Sequence, residues 1–429
     1  LCGGSVVELP FPTLLYAKPL EFKISKQSLV KYQHALKHHA ILSRREKKVT
    51  FDESALMKLM KHHPNDPLYP LVVEHRHLQK LLSTYIGVTQ ESGIVRGGMP
   101  TGTDGHIHTL YNHNPRTLRL ASQNPNLQNL PRPTQNKEDL QNIIRNLIVA
   151  GSGNIFVATD FAGIEAVLVG WEAASKGYIR LALHDIHSFY TAYALNALDG
   201  RVKGNELPLL SWDDDKLFSR LADIKKEFKK ERNELYKHLI HAANYFQGPR
   251  GAVDKIFAET GVEYPVKIIS KVMDVYFELF PEIRSWHKQT WMQAEKDGFL
   301  RNPFGYVHKF SKIYDYEKVG GKWIKNPGPD ANRAVAFGPQ STAAGIIKEA
   351  LLRLYFNRFD EAGQYLRLQI HDEIFSECRE ADADNVIRVV EEEMHKPIPE
   401  LRLPASFGMG EMLAINVESK RGYRWGSMK

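Results

Sequence analysis

A chain of 429 residues is too long for one ordinary hydrophobic core and predicts two or three subdomains. Its 43% hydrophobic and 25% charged residues are typical of a globular protein, and the absence of any run of 18 uncharged apolar residues excludes a membrane-spanning helix. Lys and Arg number 57 against 50 acids, and this net charge of +7 is compatible with a polyanionic partner. Cys2 and Cys378 are too few for a disulfide framework or a structural zinc site, which indicates a reducing compartment.

The first 67 residues carry the weakest signals. The segment 9–20 (LPFPTLLYAKPL) predicts extended chain, and 26–48 predicts a basic helix that either follows a phosphate backbone or is a solvated face. The start at Leu1, with no signal-peptide pattern, is expected of a processed or excised piece. From Leu68 to Tyr85, apolar residues at helical spacing predict an amphipathic helix.

Amides are concentrated in the segment 121–131 (ASQNPNLQNLP), which follows an alternating, edge-strand-like stretch at 105–114. Asn126, Gln128 and Asn129 can both donate and accept hydrogen bonds, as the minor groove requires, because every base pair shows acceptors at similar positions there. A loop held by its own asparagine turns is the structural alternative.

The run NIFVATD predicts a strand that ends at Asp160, after which FAGIEAVLVGW changes to helical spacing. A carboxylate at the end of a strand points out of the sheet into a cleft, although a helix N-cap is the commoner role for a single Asp. Glu165 follows in the first turn of the predicted helix, where the helix dipole alone also favours an acid.

A basic run that begins at Lys225 is predicted to continue as a helix through residues 231–251 (ERNELYKHLIHAANYFQGPRG). Lys237, His241 and Tyr245 recur at i, i+4 and i+8 and therefore share one helix face. A cation, an aromatic donor and a phenol on one face suit a nucleoside triphosphate, with charge for the phosphates and planar groups for the base. A basic amphipathic helix with a coincidental tyrosine is the alternative.

The last predicted elements are a helix with a Gly-bounded strand pair at 278–310, a long helix at 332–354 and a hairpin at 365–375 (YLRLQIHDEIF). The hairpin tip carries Asp372 and Glu373, whose mutual repulsion a divalent cation would relieve; an ordinary acidic turn in solvent is the alternative. If this hairpin pairs with the strand ending at Asp160, the two aspartates can hold two hard cations about 3.5–4 Å apart.

These stretches resemble a known family. DFAGIE (160–165) and QIHDE (369–373) are similar to the first and third motifs of family A DNA polymerases, the group of bacterial DNA polymerase I, and 121–131 is similar to their signature before the palm. The resemblance runs from about Leu68 to the C-terminus and implies an α+β right-hand fold with an antiparallel palm sheet, helical fingers and a helical thumb. The implied boundaries are 1–105 for the N-terminal segment and thumb, 106–172 and 306–429 for the palm, and 173–305 for the fingers.

The activity that this resemblance implies is template-directed addition of deoxynucleoside triphosphates to a primer 3′-hydroxyl, with two Mg²⁺ ions that Mn²⁺ can replace. Asp160, Asp372 and the backbone carbonyl of Phe161 would hold the ions, and Glu373 would be a further catalytic residue. Lys237 would act as general acid toward the leaving pyrophosphate.

The resemblance also implies contacts with both substrates, and Glu165 would stack under the incoming sugar and block a 2′-hydroxyl. The residues implied at the nucleotide are Phe161, Glu165, His187, Arg232, Lys237, His241 and Tyr245. The residues implied at primer-template DNA are Arg119, Asn126, Gln128, Asn129, Arg333, Gln340 and His371.

The sequence departs from the family pattern in three places. The usual arginine upstream of Lys237 falls at Asn233, with Arg232 one residue off that helix face. His241 stands where Phe or Tyr is usual, which leaves discrimination against dideoxynucleotides open. The spacing between Arg333 and Gln340 is one residue short.

Two other functions are compatible with parts of this sequence. A single-subunit RNA polymerase shares the palm, but Glu165 and the NPNLQN signature favour DNA synthesis. A non-catalytic DNA-binding protein on a polymerase scaffold would have lost the acids that this chain keeps. We expect a monomer that contacts no membrane. No long segment precedes the thumb here, so this sequence leaves no room for a 3′–5′ exonuclease domain, although one that was removed or that resides on another chain stays open. We expect a cytoplasmic or nucleoid-associated protein of a phage or bacterium, and an organellar source stays open.

Overall fold

The computed structural model describes residues 6–8, 21–23, 25–38, 40–42, 48–89, 95–113, 116–131, 140–199 and 211–429. The chain divides into two compact units, Leu1–Gly98 with Val253–Tyr264, and Met99–Ala252 with Pro265–Lys429. A search of the described helices finds none that is both long and apolar enough to cross a membrane. The predicted extended segment 9–20 lies outside the described residues.

Most helices are two to four turns long. They are α1 (Lys26–Ala35), α2 (Glu53–His62), α3 (Leu68–Leu81), α4 (Leu140–Leu147), α5 (Ile164–Glu172), α6 (Lys176–Ala182), α7 (Ile186–Asp199), α8 (Asp214–Glu227), α9 (Lys229–Glu231), α10 (Lys237–Asn244), α11 (Pro249–Thr260), α12 (Val266–Leu279), α13 (Pro281–Asp297), α14 (Ala331–Asn357) and α15 (Ala383–Met394). Two π-helical turns, Leu82–Ile86 and Arg232–Tyr236, follow α3 and precede α10.

The strands pair antiparallel throughout the described ladders. They are β1 (Val6–Glu8), β2 (Glu21–Lys23), β3 (Val88–Thr89), β4 (Val95–Arg96), β5 (Leu110–His113), β6 (Leu120–Gln123), β7 (Asn154–Phe161), β8 (Phe299–Arg301), β9 (Val307–Lys309), β10 (Tyr314–Val319), β11 (Lys322–Pro327), β12 (Leu366–Ile370), β13 (Glu373–Arg379), β14 (Ile398–Arg402), β15 (Met412–Leu413) and β16 (Val417–Gly422). β12, β13, β7 and β16 form one four-stranded sheet in that order.

The first unit is helical. Its α3 and the following π turn match the helix predicted from Leu68 to Tyr85. The helix predicted at 26–48 was wrong in length, because α1 ends at Ala35 and Lys37 then takes a left-handed φ of 53°, which a continuing helix cannot accommodate. Apolar side chains from α1, α2 and α3, and from Phe51 just before α2, form its core: Leu29, Phe51, Leu56, Leu59, Leu68, Tyr69 and Val72.

The second unit is built on the four-stranded sheet. Its β7 is buried along almost its whole length, since aromatic and β-branched residues suit a strand that is covered on both faces. The buried hydroxyl of Thr159 is satisfied by Ser419 on β16, at 2.8 Å. Helix α15 packs against β7 and β13, and α14 packs against α5 and β13. The predicted α+β class with an antiparallel sheet is therefore confirmed, whereas the thumb, palm and fingers boundaries stay a prediction.

A buried tyrosine network fixes the end of α10. The hydroxyl of Tyr178 donates to Asn244 Oδ1 at 3.0 Å, and the hydroxyl of Tyr276 contacts both Asn244 and Tyr178. All three side chains are inaccessible to water or nearly so, so each polar group depends on the others for its hydrogen bonds. Because the network holds Asn244 in place, it also fixes the backbone from which the next residue, Tyr245, projects.

We predict that Tyr276→Phe lowers the free energy of unfolding by about 1–3 kcal/mol, because Asn244 and Tyr178 lose a partner in a site that water does not reach. Chemical denaturation followed by circular dichroism measures the change. The matched control is Tyr355→Phe, which removes the same hydroxyl from an exposed position on α14 and should change stability by less than about 0.5 kcal/mol. Equal effects of the two variants would contradict the network.

Candidate active site

Two carboxylates far apart in sequence meet at one end of the sheet. β13 pairs with β7 so that Glu373 lies opposite Asp160, and Asp372 occupies the turn that joins β12 to β13. The N–H of Phe161 points to the carbonyl oxygen of Asp372 at 3.5 Å. The expectation that these strands are neighbours is confirmed, and the N-cap alternative for Asp160 fails because α5 is capped by Gly163.

The two aspartates disfavour each other's charge. Burial, together with the charges of Asp372 and Glu373, raises the pKa of Asp160 to about 7. Burial raises the pKa of Asp372 to about 6, although the positive charge of Arg119 opposes this. Asp160 Oδ1 is buried and has no hydrogen-bond partner within the described part of the chain. A bound divalent cation would relieve the repulsion and satisfy this oxygen, so the site fits the ions that the resemblance implies.

Glu373 and its surroundings complete the acidic end of the sheet. Lys420 on β16 places its Nζ 2.5 Å from Glu373 Oε2 and so neutralises that acid. β16 also places Glu418 opposite Asp160. The described ranges hold no ready-made group of three His, Cys, Asp or Glu ligands, which is consistent with an ion held by one or two carboxylates and by substrate phosphates. Lys420 and Glu418 were missed from sequence, because only the pairing of β16 with β7 brings them here.

Glu165 joins residues that were expected at different substrates. It accepts a hydrogen bond from Tyr245 at 2.7 Å and forms an ion pair with Arg119. Burial opposes ionisation, but the charge of Arg119 and the Tyr245 hydrogen bond hold the pKa of Glu165 below its usual value. Arg119, expected at DNA, therefore lies beside two residues expected at the nucleotide.

A π turn changes the position of Arg232. The Lys237 N–H bonds the Arg232 carbonyl five residues back, so this turn contains one residue more than an α-helical turn. The extra residue moves Arg232 toward the helix face that carries Lys237. The expectation that Arg232 lies off this face assumed a regular α-helix and is corrected here. Arg232 donates to Asp185 Oδ1 at 2.8 Å and to Ser188 Oγ at 3.0 Å.

His187 lies among the cations of this cluster. Burial, followed by the charge of Arg232, lowers the pKa of His187 to about 3, with further contributions from Lys237 and His241. Its Nδ1 is buried and has no hydrogen-bond partner among the residues that the structure describes. The rings of His241 and Tyr245 meet edge to face at 4.9 Å. The residues expected at the triphosphate and base therefore come together.

The amide-rich loop is tied to the hairpin that carries Asp372. Gln128 donates through Nε2 to the carbonyl oxygen of Gln369 on β12 at 3.0 Å, and Gln369 bonds the carbonyl of His371. Asn126 Oδ1 accepts from the N–H of Asn129 at 3.2 Å, as the asparagine-turn alternative expects. His371 takes a left-handed φ of 58°, so the hairpin turn is strained and depends on these contacts.

Tyr111 on β5 was missed from sequence. Its hydroxyl donates to the carbonyl oxygen of Gln369 at 2.8 Å and accepts from the N–H of the same residue at 3.0 Å. A tyrosine in an edge strand carries no sequence signal for such a long-range contact.

Arg333 and Gln340 both lie on α14. They are seven residues apart on α14, close to two helical turns, and therefore share a helix face despite the short spacing. Arg333 pairs with Asp330 at 3.0 Å. Neither side chain is hydrogen-bonded or ion-paired to the carboxylates in the described structure.

Comparison with known proteins extends this description. Residues 17–202 and 221–426 match the family model described as DNA polymerase family A. The thermostable DNA polymerase I of Thermus caldophilus is 27% identical over 353 residues, which are 80% of this chain and 36% of that protein. The DNA polymerase I of Caldicellulosiruptor bescii is 24% identical, with 87% of this chain and 37% of that protein covered. The chain thus spans little more than a third of the length of these relatives.

A solved structure shares the fold. The POL domain of Pol1 from M. smegmatis, in complex with DNA primer-template and dNTP, superposes with a TM-score of 0.64 at 20% identity, covering 94% of this chain and 61% of that one. Together with the family match over most of the sequence, this shows that the chain belongs to DNA polymerase family A.

Proposed function

We propose that this protein is a template-directed DNA polymerase that adds deoxynucleoside triphosphates to a primer 3′-hydroxyl. The observation that carries the proposal is the meeting of Asp160 and Asp372 at one end of the sheet. Family membership supports it, and we extend to this chain the primer-template DNA and dNTP bound to the M. smegmatis neighbour. We further propose that it acts as a monomer in the cytoplasm or nucleoid.

Asp160, Asp372 and the carbonyl oxygen of Phe161 would hold two Mg²⁺ ions, or Mn²⁺ in their place. When bound, such ions lower the pKa of the attacking hydroxyl and neutralise charge on the phosphates. The chain supplies two carboxylates whose repulsion favours cation binding, and Lys420 forms an ion pair with Glu373 beside them.

The triphosphate would meet the cluster on α10 and α7. Arg232 offers a fork of N–H donors, and Lys237 adds a point charge and a proton for the leaving pyrophosphate. Because its pKa is about 3, His187 stays neutral and can donate a hydrogen bond without adding charge. The π turn supports this role for Arg232, since it shifts the guanidinium toward the Lys237 side.

The sugar and base would rest against Glu165, Tyr245 and His241. The bond from Tyr245 to Glu165 makes a rigid wall where a 2′-hydroxyl would otherwise fit. The DNA strands would meet Arg119, the amide loop with Asn126, Gln128 and Asn129, and Arg333, Gln340 and His371.

Asp160→Asn and Asp372→Asn are each predicted to reduce primer extension by on the order of a thousandfold or more, because each removes a charge that holds the ions, and several kcal/mol of transition-state stabilisation are lost. Single-turnover extension of a labelled primer with Mg²⁺ measures the rate. The matched control is Asp384→Asn, which makes the same change at an exposed acid on α15 and should retain activity. Gel shifts should show that all three variants still bind primer-template DNA. Near-normal extension by either aspartate variant would refute the assignment.

Glu165→Ala is predicted to increase ribonucleotide incorporation, relative to deoxyribonucleotide incorporation, by about tenfold or more, since the wall against a 2′-hydroxyl is removed. The ratio of kcat/KM for a matched ribo- and deoxynucleotide measures it. Glu165→Gln keeps the volume and should keep most of the discrimination, which separates steric exclusion from loss of the Arg119 ion pair. An unchanged ratio in the alanine variant removes Glu165 from this role, and efficient extension by the unaltered protein with ribonucleotides alone would instead favour an RNA polymerase.

A further inference from the structure

The hairpin of β10 and β11 forms a two-stranded sheet of its own within the second unit. Gly320 and Gly321 form its two-residue turn with φ values of 57° and 84°, and a turn with positive φ at both central residues is the tight connection that glycine permits. The register is regular from Tyr314 opposite Pro327 to Val319 opposite Lys322. A regular register fixes which side chains share a face.

The two faces differ in chemistry. Directly opposite residues of an antiparallel pair project to the same side, and alternate residues along a strand do as well. One face, here called the aromatic face, carries Tyr314, Tyr316, Lys318, Trp323, Lys325 and Pro327. The other face carries Asp315, Glu317, Val319, Lys322, Ile324 and Asn326. Both acids of the hairpin lie on the second face, so the aromatic face combines rings with lysines alone.

The rings near the tip are unusually open to solvent. Trp323 is 68% exposed and Tyr316 is 58% exposed, and they are diagonal neighbours across the two strands. Diagonal neighbours lie about 7–8 Å apart, within reach of adjacent units of a flexible ligand. Exposed rings beside a cation, here Lys318 opposite Trp323, are the features that bind single-stranded nucleic acid, where bases stack and phosphates meet the charge.

The hairpin is anchored at its middle and at its root. Tyr316 donates to Glu295 of α13 at 3.1 Å, and Lys325 pairs with the same carboxylate at 2.8 Å, which neutralises the nearest acid. Gly328 N–H bonds the Ile313 carbonyl at 2.7 Å where the chain passes into α14. The hairpin therefore leads directly into α14, the helix that carries Arg333, which is proposed above to contact DNA.

We propose that the aromatic face, through Tyr316, Lys318 and Trp323, binds single-stranded nucleic acid by stacking bases and contacting phosphate. The proposed polymerase function identifies the strand as unpaired template, and the inference rests on that function for the source of the strand only. The stacking chemistry requires no particular base sequence.

The test is the affinity of the full chain for a fluorescein-labelled oligothymidylate, measured by anisotropy over a range of salt concentrations. Trp323→Ala should weaken binding at least about fivefold, as loss of one base–aromatic stack does, and Trp323→Phe should retain most of the affinity. Lys318→Ala should reduce the slope of log K against log salt by about 0.7, as loss of one phosphate contact predicts. Affinity for a blunt duplex should be the same in Trp323→Ala as in the unaltered chain.

The opposite face supplies matched controls. Ile324→Ala truncates an exposed apolar side chain and Lys322→Ala removes a lysine, and both should leave oligothymidylate affinity and salt slope unchanged. The proposal is overturned if Trp323→Ala binds normally, if both faces respond equally, or if Trp323→Ala instead abolishes self-association in sedimentation. Primer extension by the unaltered chain separates the two proposals. If the unaltered chain binds oligothymidylate but does not extend a primer, the polymerase function is refuted. If it extends a primer and Trp323→Ala binds oligothymidylate normally, the hairpin site is refuted.

Discussion

The pairing of β13 with β7 is the constraint on which the rest of the site depends. Without this pairing, Asp160 would end one strand and Asp372 would lie on the turn of an unrelated hairpin. The pairing brings both carboxylates and the Phe161 carbonyl to one end of a buried sheet. The register leaves no freedom, because a slip by one residue would turn Asp160 to the other face. The surrounding helices therefore stabilise a particular register as much as they cover apolar surface.

That pairing has an electrostatic cost. Burial raises the pKa of Asp160 and of Asp372, and neighbouring carboxylates raise both further, so the protein keeps both charges only at the expense of stability. Lys420 compensates in part, because its charge lowers the pKa of Asp160. The negative charge that remains favours a cation, so the repulsion that costs stability would also strengthen the proposed binding of metal.

Sequence predicted the local elements better than their mutual contacts. The strand ending at Asp160 and the hairpin at Asp372 followed from hydrophobic alternation, which is a local property. The π turn at Arg232 was missed, because one extra residue in a helix leaves no periodic signal. Lys420 and Tyr111 were missed for a different reason: their roles arise from pairing between distant segments, and single-sequence patterns carry no such information.

Arg119 couples the two centres that sequence treats as separate. Its charge lowers the pKa of Glu165, in the wall beside Tyr245, and also opposes the rise in the pKa of Asp372. A change at Arg119 would therefore alter the pKa of Glu165 and the pKa of Asp372 together. Since Glu165 itself raises the pKa of Asp372, any group that displaced the Arg119–Glu165 ion pair would also change the pKa of Asp372. If Asp372 holds a cation and Glu165 contacts the nucleotide, as proposed, this electrostatic coupling would make the two binding events interdependent without any movement of the sheet.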